Sequence, residues 1–230
     1  MPVQDKSTAM ADAVAQIPDG ARIMIGGFGV PGTPFLLIEE LVRQGPKNLT
    51  IIKNDANEAD MGVDRLLAAG MVQRLITSHI GLNSNAIRMM NAGELEVEFV
   101  AQGILAERIR TAGAGLKGFV SDIGMGTLLA EGKQRVEVDG HTYLFEPAIE
   151  ADFALVHAAR ADLGGNLVYE ATARNFNPLM AMAAECTIAE AETIVPIGSI
   201  EPDTVHTPAP FVDHLVALAE LTEVYGVVKR

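Results

Sequence analysis

The residues best suited to chemistry lie together in Gly26-Gly27-Phe28-Gly29-Val30-Pro31-Gly32-Thr33-Pro34. Gly27, Gly29 and Gly32 satisfy G-x-G-x-x-G between a strand-like run and a helix-like one, the setting of a dinucleotide fingerprint. Asp55 stands 23 positions after Gly32, near where such a fingerprint puts an acid on the ribose. Read this way, the chain is a NAD-dependent oxidoreductase. Pro34 argues against it. A dinucleotide turn starts its helix inside the glycine pattern, so that free N–H groups meet the pyrophosphate. Pro34 would then fall in the second helical turn, where it removes a hydrogen bond and clashes, at roughly 3 kcal/mol. A helix opening at Thr33-Pro34 avoids this, with Thr33 capping the free N–H groups and Pro34 at the first helical position. The loop is then longer than a dinucleotide turn. Its glycines serve either close approach of backbone to a ligand or tight chain reversal alone.

Other candidates carry weaker signals. Asn54-Asp55 follows a strand-like run, where open α/β sheets bind ligands; the pair either lines a pocket or caps a turn. His79 and His157 lie in apolar contexts that favour a satisfied interior imidazole over a metal ligand. His206 and His214 are eight apart, which is not the spacing of a helical zinc pair. No metal site is expected. Arg174 either binds a carboxylate or belongs to a loop leading into a helix at Pro178. Cys186, the single cysteine, reads as a small buried hydrophobe and excludes any intrachain disulfide.

The elements that must position these residues alternate. Met10, Ala13, Val14 and Ile17 recur at helical spacing and Pro18-Asp19-Gly20 ends that helix. Ile23-Met24-Ile25 is a strand, apolar throughout as a doubly buried strand should be. After the helix from Thr33-Pro34 to Gly45-Pro46, strands are expected at 49–53, 72–79 and 95–100, with helices at 63–69, 85–92 and 105–111. Then the rhythm breaks: residues 134–138 and 142–146 flank Asp139-Gly140-His141, a hairpin signal. A strand at 151–157, a helix at 179–185 and strands at 187–190 and 223–228 follow. This predicts a single α/β domain over residues 1–230, a mostly parallel sheet flanked by helices with an antiparallel excursion near 134–146.

Composition narrows the partners. The 230 residues are 49% hydrophobic and carry a formal charge of −13, enough for a buried core and too apolar for disorder. So acidic a chain is a poor match for nucleic acid or an anionic membrane surface. The uncharged run from Ile23 to Ile38 is broken by glycines and prolines and is shorter than the ~20 residues of a spanning helix. The first twenty residues lack the apolar core of a signal peptide. A cytoplasmic protein is expected.

Many blocks in order carry a resemblance. Asp19-Gly20-Ala21-Arg22-Ile23-Met24-Ile25-Gly26-Gly27-Phe28 with Gly32-Thr33-Pro34 is one. Ser78-His79-Ile80-Gly81, Gln102-Gly103, Gly124-Met125-Gly126-Thr127, Glu131-Gly132-Lys133, Ala173-Arg174-Asn175-Phe176-Asn177-Pro178 and His206-Thr207-Pro208 are others. Together they resemble the family I coenzyme A transferases, and among these the α (A) subunit of 3-oxoacid and short-chain fatty acid CoA-transferases.

The resemblance implies transfer of CoA from an acyl-CoA to a free carboxylic acid, by ping-pong steps through a glutamyl-CoA thioester. The family's nucleophilic Glu sits in a Ser-Glu-Asn-Gly type motif of the β (B) subunit, and this sequence has no such motif. A β-subunit partner, in an α2β2 assembly, is therefore implied. Gly26, Gly27, Phe28, Gly29, Val30, Pro31 and Gly32 match the family's CoA-binding stretch. Gln102 matches an active-site glutamine, whose amide would donate to the oxyanion of a tetrahedral intermediate. Without the family, Gln102 reads as a satisfied polar residue in a turn. Where the family has Pro-Gln-Gly-Thr, this chain has Ala101-Gln102-Gly103-Ile104; Asn54, Gly103 and Ile104 are the expected substrate pocket, and Ile104 is expected to shift the acyl preference toward a less polar acid. Because a net charge of −13 disfavours polyanionic CoA, Arg108 or Lys133, together with the partner, is expected to assist the glycine loop.

Overall fold

A computed structural model describes residues 4–222 and Tyr225. The main sheet is built from β1 (Arg22–Ile25), β2 (Leu49–Ile52), β3 (Val72–Thr77), β4 (Glu96–Phe99), β8 (Ala151–Asp162), β10 (Ala184–Val195) and β11 (His214–Ala217). Their order across it is β11-β10-β8-β1-β2-β3-β4. All neighbours on this path are parallel. A short β9 (Leu167–Val168) adds antiparallel to β8.

Period-two alternation divides the strand residues between two cores. Ile23, Ile25, Ile51 and Leu75 face α1 (Met10–Val14), α2 (Phe35–Gln44), α3 (Val63–Ala68) and α4 (Ser84–Asn91). Met24, Ile52, Ile76 and Val156 face α5 (Gln102–Gly113) and α6 (Asn177–Ala183) on the other side. Burial on both faces explains why these strands read as unbroken apolar runs. The expected excursion is a three-stranded antiparallel sheet, β5 (Gly118–Ser121), β7 (His141–Pro147) and β6 (Arg135–Val138), in that order. Asp139 and Gly140 both take positive φ in the turn joining β6 to β7.

Three expectations need revision. α5 starts at Gln102, so the glutamine is the first residue of a helix and not part of a turn. β8 and β10 are each 12 residues long and pair in parallel along their lengths, much longer than their apolar runs. Thr33 does not cap α2: Pro34 holds the cap position, and the Thr33 hydroxyl donates to Gly29 O at 2.6 Å. The strand expected at 223–228 lies outside the described residues except for Tyr225.

The topology decides where a site can form. The chain lays down β1 to β4 toward one edge, then returns so that β8 lies on the other side of β1. Connections leave the carboxyl ends of β1 and β8 in opposite directions, opening the crevice in which sheets of this kind bind ligands.

Candidate active site at the carboxyl edge of the sheet

Four strand ends deliver the candidate residues. The glycine loop follows β1, Lys53-Asn54-Asp55 follows β2, Ser78-His79 follows β3, and Gln102 opens the helix after β4. A chain of hydrogen bonds joins three of them. Gln102 Nε2 donates to Asn54 Oδ1 at 2.8 Å, and Asn54 Nδ2 donates to Asp55 Oδ2 at 3.0 Å. Asp55 Oδ2 also accepts the Gly29 N–H at 2.8 Å. Ser78 fixes the asparagine further, its hydroxyl lying 3.0 Å from Asn54 Oδ1.

Beneath this chain lies a charge pair. Lys53 is wholly buried, and its Nζ lies 3.3 Å from Asp55 Oδ1. Burial pulls the lysine below its ordinary value, against the opposing charge of Asp55. Burial pushes Asp55 upward, but the Lys53 charge and the hydrogen bonds from Gly29, Asn54 and Asn57 outweigh it and hold the carboxyl low. Asp55 thus stays an acceptor, and the loop is tied to it.

The other side of the glycine loop is held by Asn177, which is completely buried. Its Nδ2 donates to Gly32 O at 3.0 Å and to Ala173 O at 2.8 Å, while Oδ1 accepts the His157 N–H at 3.2 Å. A Cβ on Gly26 would overlap the Asn177 amide, and one on Gly32, which has φ +77°, would meet Ala173 O. At these two positions the glycines serve close packing of this loop against another.

The N-terminus of α2 is closed by residues far away in sequence. Leu37 N donates to Glu190 Oε2 at 2.9 Å, and Leu36 N donates to the Tyr225 hydroxyl at 2.9 Å. That hydroxyl in turn donates to Glu190 Oε1. His157 Nδ1 lies 2.8 Å from Glu190 Oε1 and its Nε2 lies 3.2 Å from Glu192 Oε1. Burial lowers the His157 ring's affinity for a proton, but Glu190 and then Glu192 outweigh that and raise it above the ordinary histidine value. This geometry overturns the dinucleotide alternative. The helix N–H groups that would meet a pyrophosphate face a carboxylate, and the acid that would hold a ribose is consumed by the loop itself.

The expected residues fall into two groups. Gln102, Gly103 and Phe28 are exposed at the edge. Asn54, by contrast, is fully buried and touches the site through Gln102. Ile104 is only 5% exposed and packs in the core with Leu105 and Ile109, so its side chain faces the core and not the exposed edge where Gln102 lies. Arg108 donates to Pro147 O at 2.7 Å and pairs with Glu98 at 3.1 Å, and Lys133 pairs with Glu146 at 2.6 Å; both cations are already engaged. Cys186 is half-buried against the core, and burial pushes its thiol up to about 11. The glycine loop also borders a cleft with Asp55, Met61, His79 and Leu82.

Sequence reasoning missed Lys53, Asn177 and Glu190 as parts of the site's frame. Lys53 had a signal: a lysine closing an apolar, doubly buried strand, two residues before an acid, puts both side chains on one face. For Asn177 and Glu190 the partners are 145 and 153 residues away, and no local pattern announces them.

Comparisons with known proteins agree with this architecture. The family model described as Coenzyme A transferase matches residues 7–218. The chain is 44% identical over 218 residues to the alpha subunit of the acetate CoA-transferase of Escherichia coli (strain K12), covering 95% of this chain and 99% of that one. It is 47% identical over 215 residues to the corresponding (A) subunit of the 3-oxoadipate CoA-transferase of Acinetobacter baylyi, covering 92% and 94% respectively. Among solved structures, the acyl-CoA transferase apoenzyme from Escherichia coli O157:H7 matches in fold with a TM-score of 0.86 at 24% identity, over 98% of this chain and 49% of that one. The chain therefore spans about half of that longer polypeptide and nearly all of the two curated subunits.

Proposed function

The chain belongs to the coenzyme A transferase family, and from that premise we propose that it is the α subunit of a two-subunit enzyme moving CoA between a short-chain acyl-CoA and a free carboxylate. The nucleophile is a glutamate of a β subunit. Its carboxylate attacks the acyl thioester carbonyl and expels CoA thiolate, leaving an acyl–glutamyl anhydride. The thiolate then attacks the glutamyl carbonyl and expels the first carboxylic acid, leaving the glutamyl-CoA thioester. The second acid reverses these steps.

The observation that carries this reading is the setting of Gln102. One N–H of its amide is held by Asn54 at 2.8 Å, and the side chain is exposed beside the glycine loop. The second N–H is thereby aimed as an oxyanion donor that needs no reorganisation when charge develops on the thioester oxygen. The glycine loop faces the thioester end of CoA. Asp55 already accepts the Gly29 N–H, and a phosphate beside that carboxylate would be repelled. CoA phosphates are therefore bound chiefly by the partner. Among the described residues no helix is long and apolar enough to cross a membrane.

The test is acyl exchange between acetoacetyl-CoA and a short carboxylic acid, with the chain alone and co-expressed with its β subunit. Exchange in the pair only is expected. Nicotinamide-dependent hydride transfer by the chain alone, or no exchange by the pair with any short acid, would overturn the reading.

A further inference from the structure

The cleft beside the glycine loop carries an inference about the acyl group, resting on the transferase reading above. It lies over the carboxyl ends of β1, β2 and β3 and encloses about 90 Å³. Its walls are apolar: Phe28 and Val30 from the glycine loop, Met61 from the segment before α3, and Ile80 and Leu82 after β3. The acids on its lining are Asp55 and Glu58. Asn57 and His79 complete the polar lining, and no lysine or arginine is among the lining residues. The nearby cation, Lys53, is sealed beneath Asp55 and paired with it. Asp55 also joins the cleft to the reacting edge, because the same carboxylate accepts from Asn54, which holds Gln102.

We propose that this cleft receives the acyl chain and selects a short, uncharged aliphatic one, excluding acids that carry a second carboxylate. An apolar cavity of about 150 Å³ holds a benzene ring, so 90 Å³ suits roughly four non-hydrogen atoms. The tail of a butyryl-sized group fits. A distal carboxylate would lose water against Val30 and Ile80, meet Glu58 and Asp55, and find no lysine or arginine among the lining residues. The less polar preference expected from Ile104 is thus assigned to different residues, since Ile104 itself is in the core.

The experiment uses the co-expressed pair with one acyl-CoA donor and acetate, butyrate, hexanoate, succinate and glutarate as acceptors. Butyrate should exceed succinate and glutarate in kcat/KM by about a hundredfold, with hexanoate falling off. Glu58→Lys, at an exposed position, should raise the succinate-to-butyrate ratio of kcat/KM about tenfold or more. Met61→Ala should raise the hexanoate-to-butyrate ratio. Succinate or glutarate used as well as butyrate by the wild-type pair would overturn the proposal while leaving the transferase reading intact. So would ratios unmoved by both substitutions in folded protein. Failure with every acid would instead remove the transferase reading, and this inference with it.

Discussion

In the proposed mechanism Asn54 and Gln102 divide one task between a buried and an exposed side chain. The asparagine is inaccessible, so its effect on substrate passes through the glutamine it holds. Gln102→Ala removes the donor itself and should lower kcat of the pair about 10²–10³-fold. Its thermal stability should be unchanged, because the side chain is exposed. A kcat within a few-fold of wild type would remove Gln102 from the mechanism. Ile104 makes the opposite case. Its residue type departs from the family pattern beside the active glutamine, which points to substrate choice. Its place three-dimensionally is the inner face of α5, in the second core that also holds Met180 and Val100. Ile104→Thr should therefore cost about 1–2 kcal/mol of stability, through lost apolar burial and a buried hydroxyl. The acceptor profile should stay as in wild type. Denaturant unfolding and a panel of acids separate the two outcomes. The motif beside Gln102 is legible because it is local. Which way each residue points is set by where α5 begins, and the apolar spacing starts that helix three residues late.

At the scale of elements, the N-terminus of α2 shows how much of this frame is held at long range. The glycine loop, Pro34 and an apolar stripe are enough to place β1, the loop and the helix in order. The capping group is not legible, because Thr33 is satisfied by Gly29 O while Glu190 reaches in from β10. β8 and β10 read short for a related reason: His157 and Glu190 interrupt their apolar runs, yet each is the other's partner across the parallel pair. This pairing has a pH signature. Every described group facing the His157 ring favours its protonated form or stacks on it: Glu190, Glu192 and the Tyr225 ring at 5.0 Å. A histidine whose folded value is raised contributes stability that is fully present below the unfolded value of about 6.5. That contribution is lost as pH rises through the folded value. The unfolding midpoint of the protein should therefore fall as pH is raised above about 6.5, with His157→Gln flattening that part of the profile. An identical slope in the variant would show that another group is responsible.

The whole molecule sets a limit on what one chain does alone. Its crevice is formed by topology, where β1 and β8 send the chain in opposite directions; the alternation of elements makes the parallel sheet legible, but not the strand order that opens the crevice. Its electrostatics are only half legible. The formal charge of −13 points to a surface unsuited to polyanions, but the expected remedies, Arg108 and Lys133, are both occupied by acids of the same chain. The glycine loop gives little help, because Gly29 N is bonded to Asp55 and Phe28 N to Pro31 O. The helix N-terminus behind it is closed by Glu190. Four potential anion contacts are thus filled internally, and CoA brings several phosphate charges to a surface that repels them. The isolated chain should accordingly bind CoA more weakly than about 1 mM, which leaves at most about 4 kcal/mol of binding free energy. The pair with its β subunit should bind far more tightly, and added salt should weaken that binding as phosphate–cation contacts on the partner are screened. Calorimetric titration of CoA into the chain alone and into the pair makes the comparison. Micromolar, saturable binding by the lone chain would mean that its own loop holds the phosphates after all, and the division of labour between the subunits would have to be redrawn.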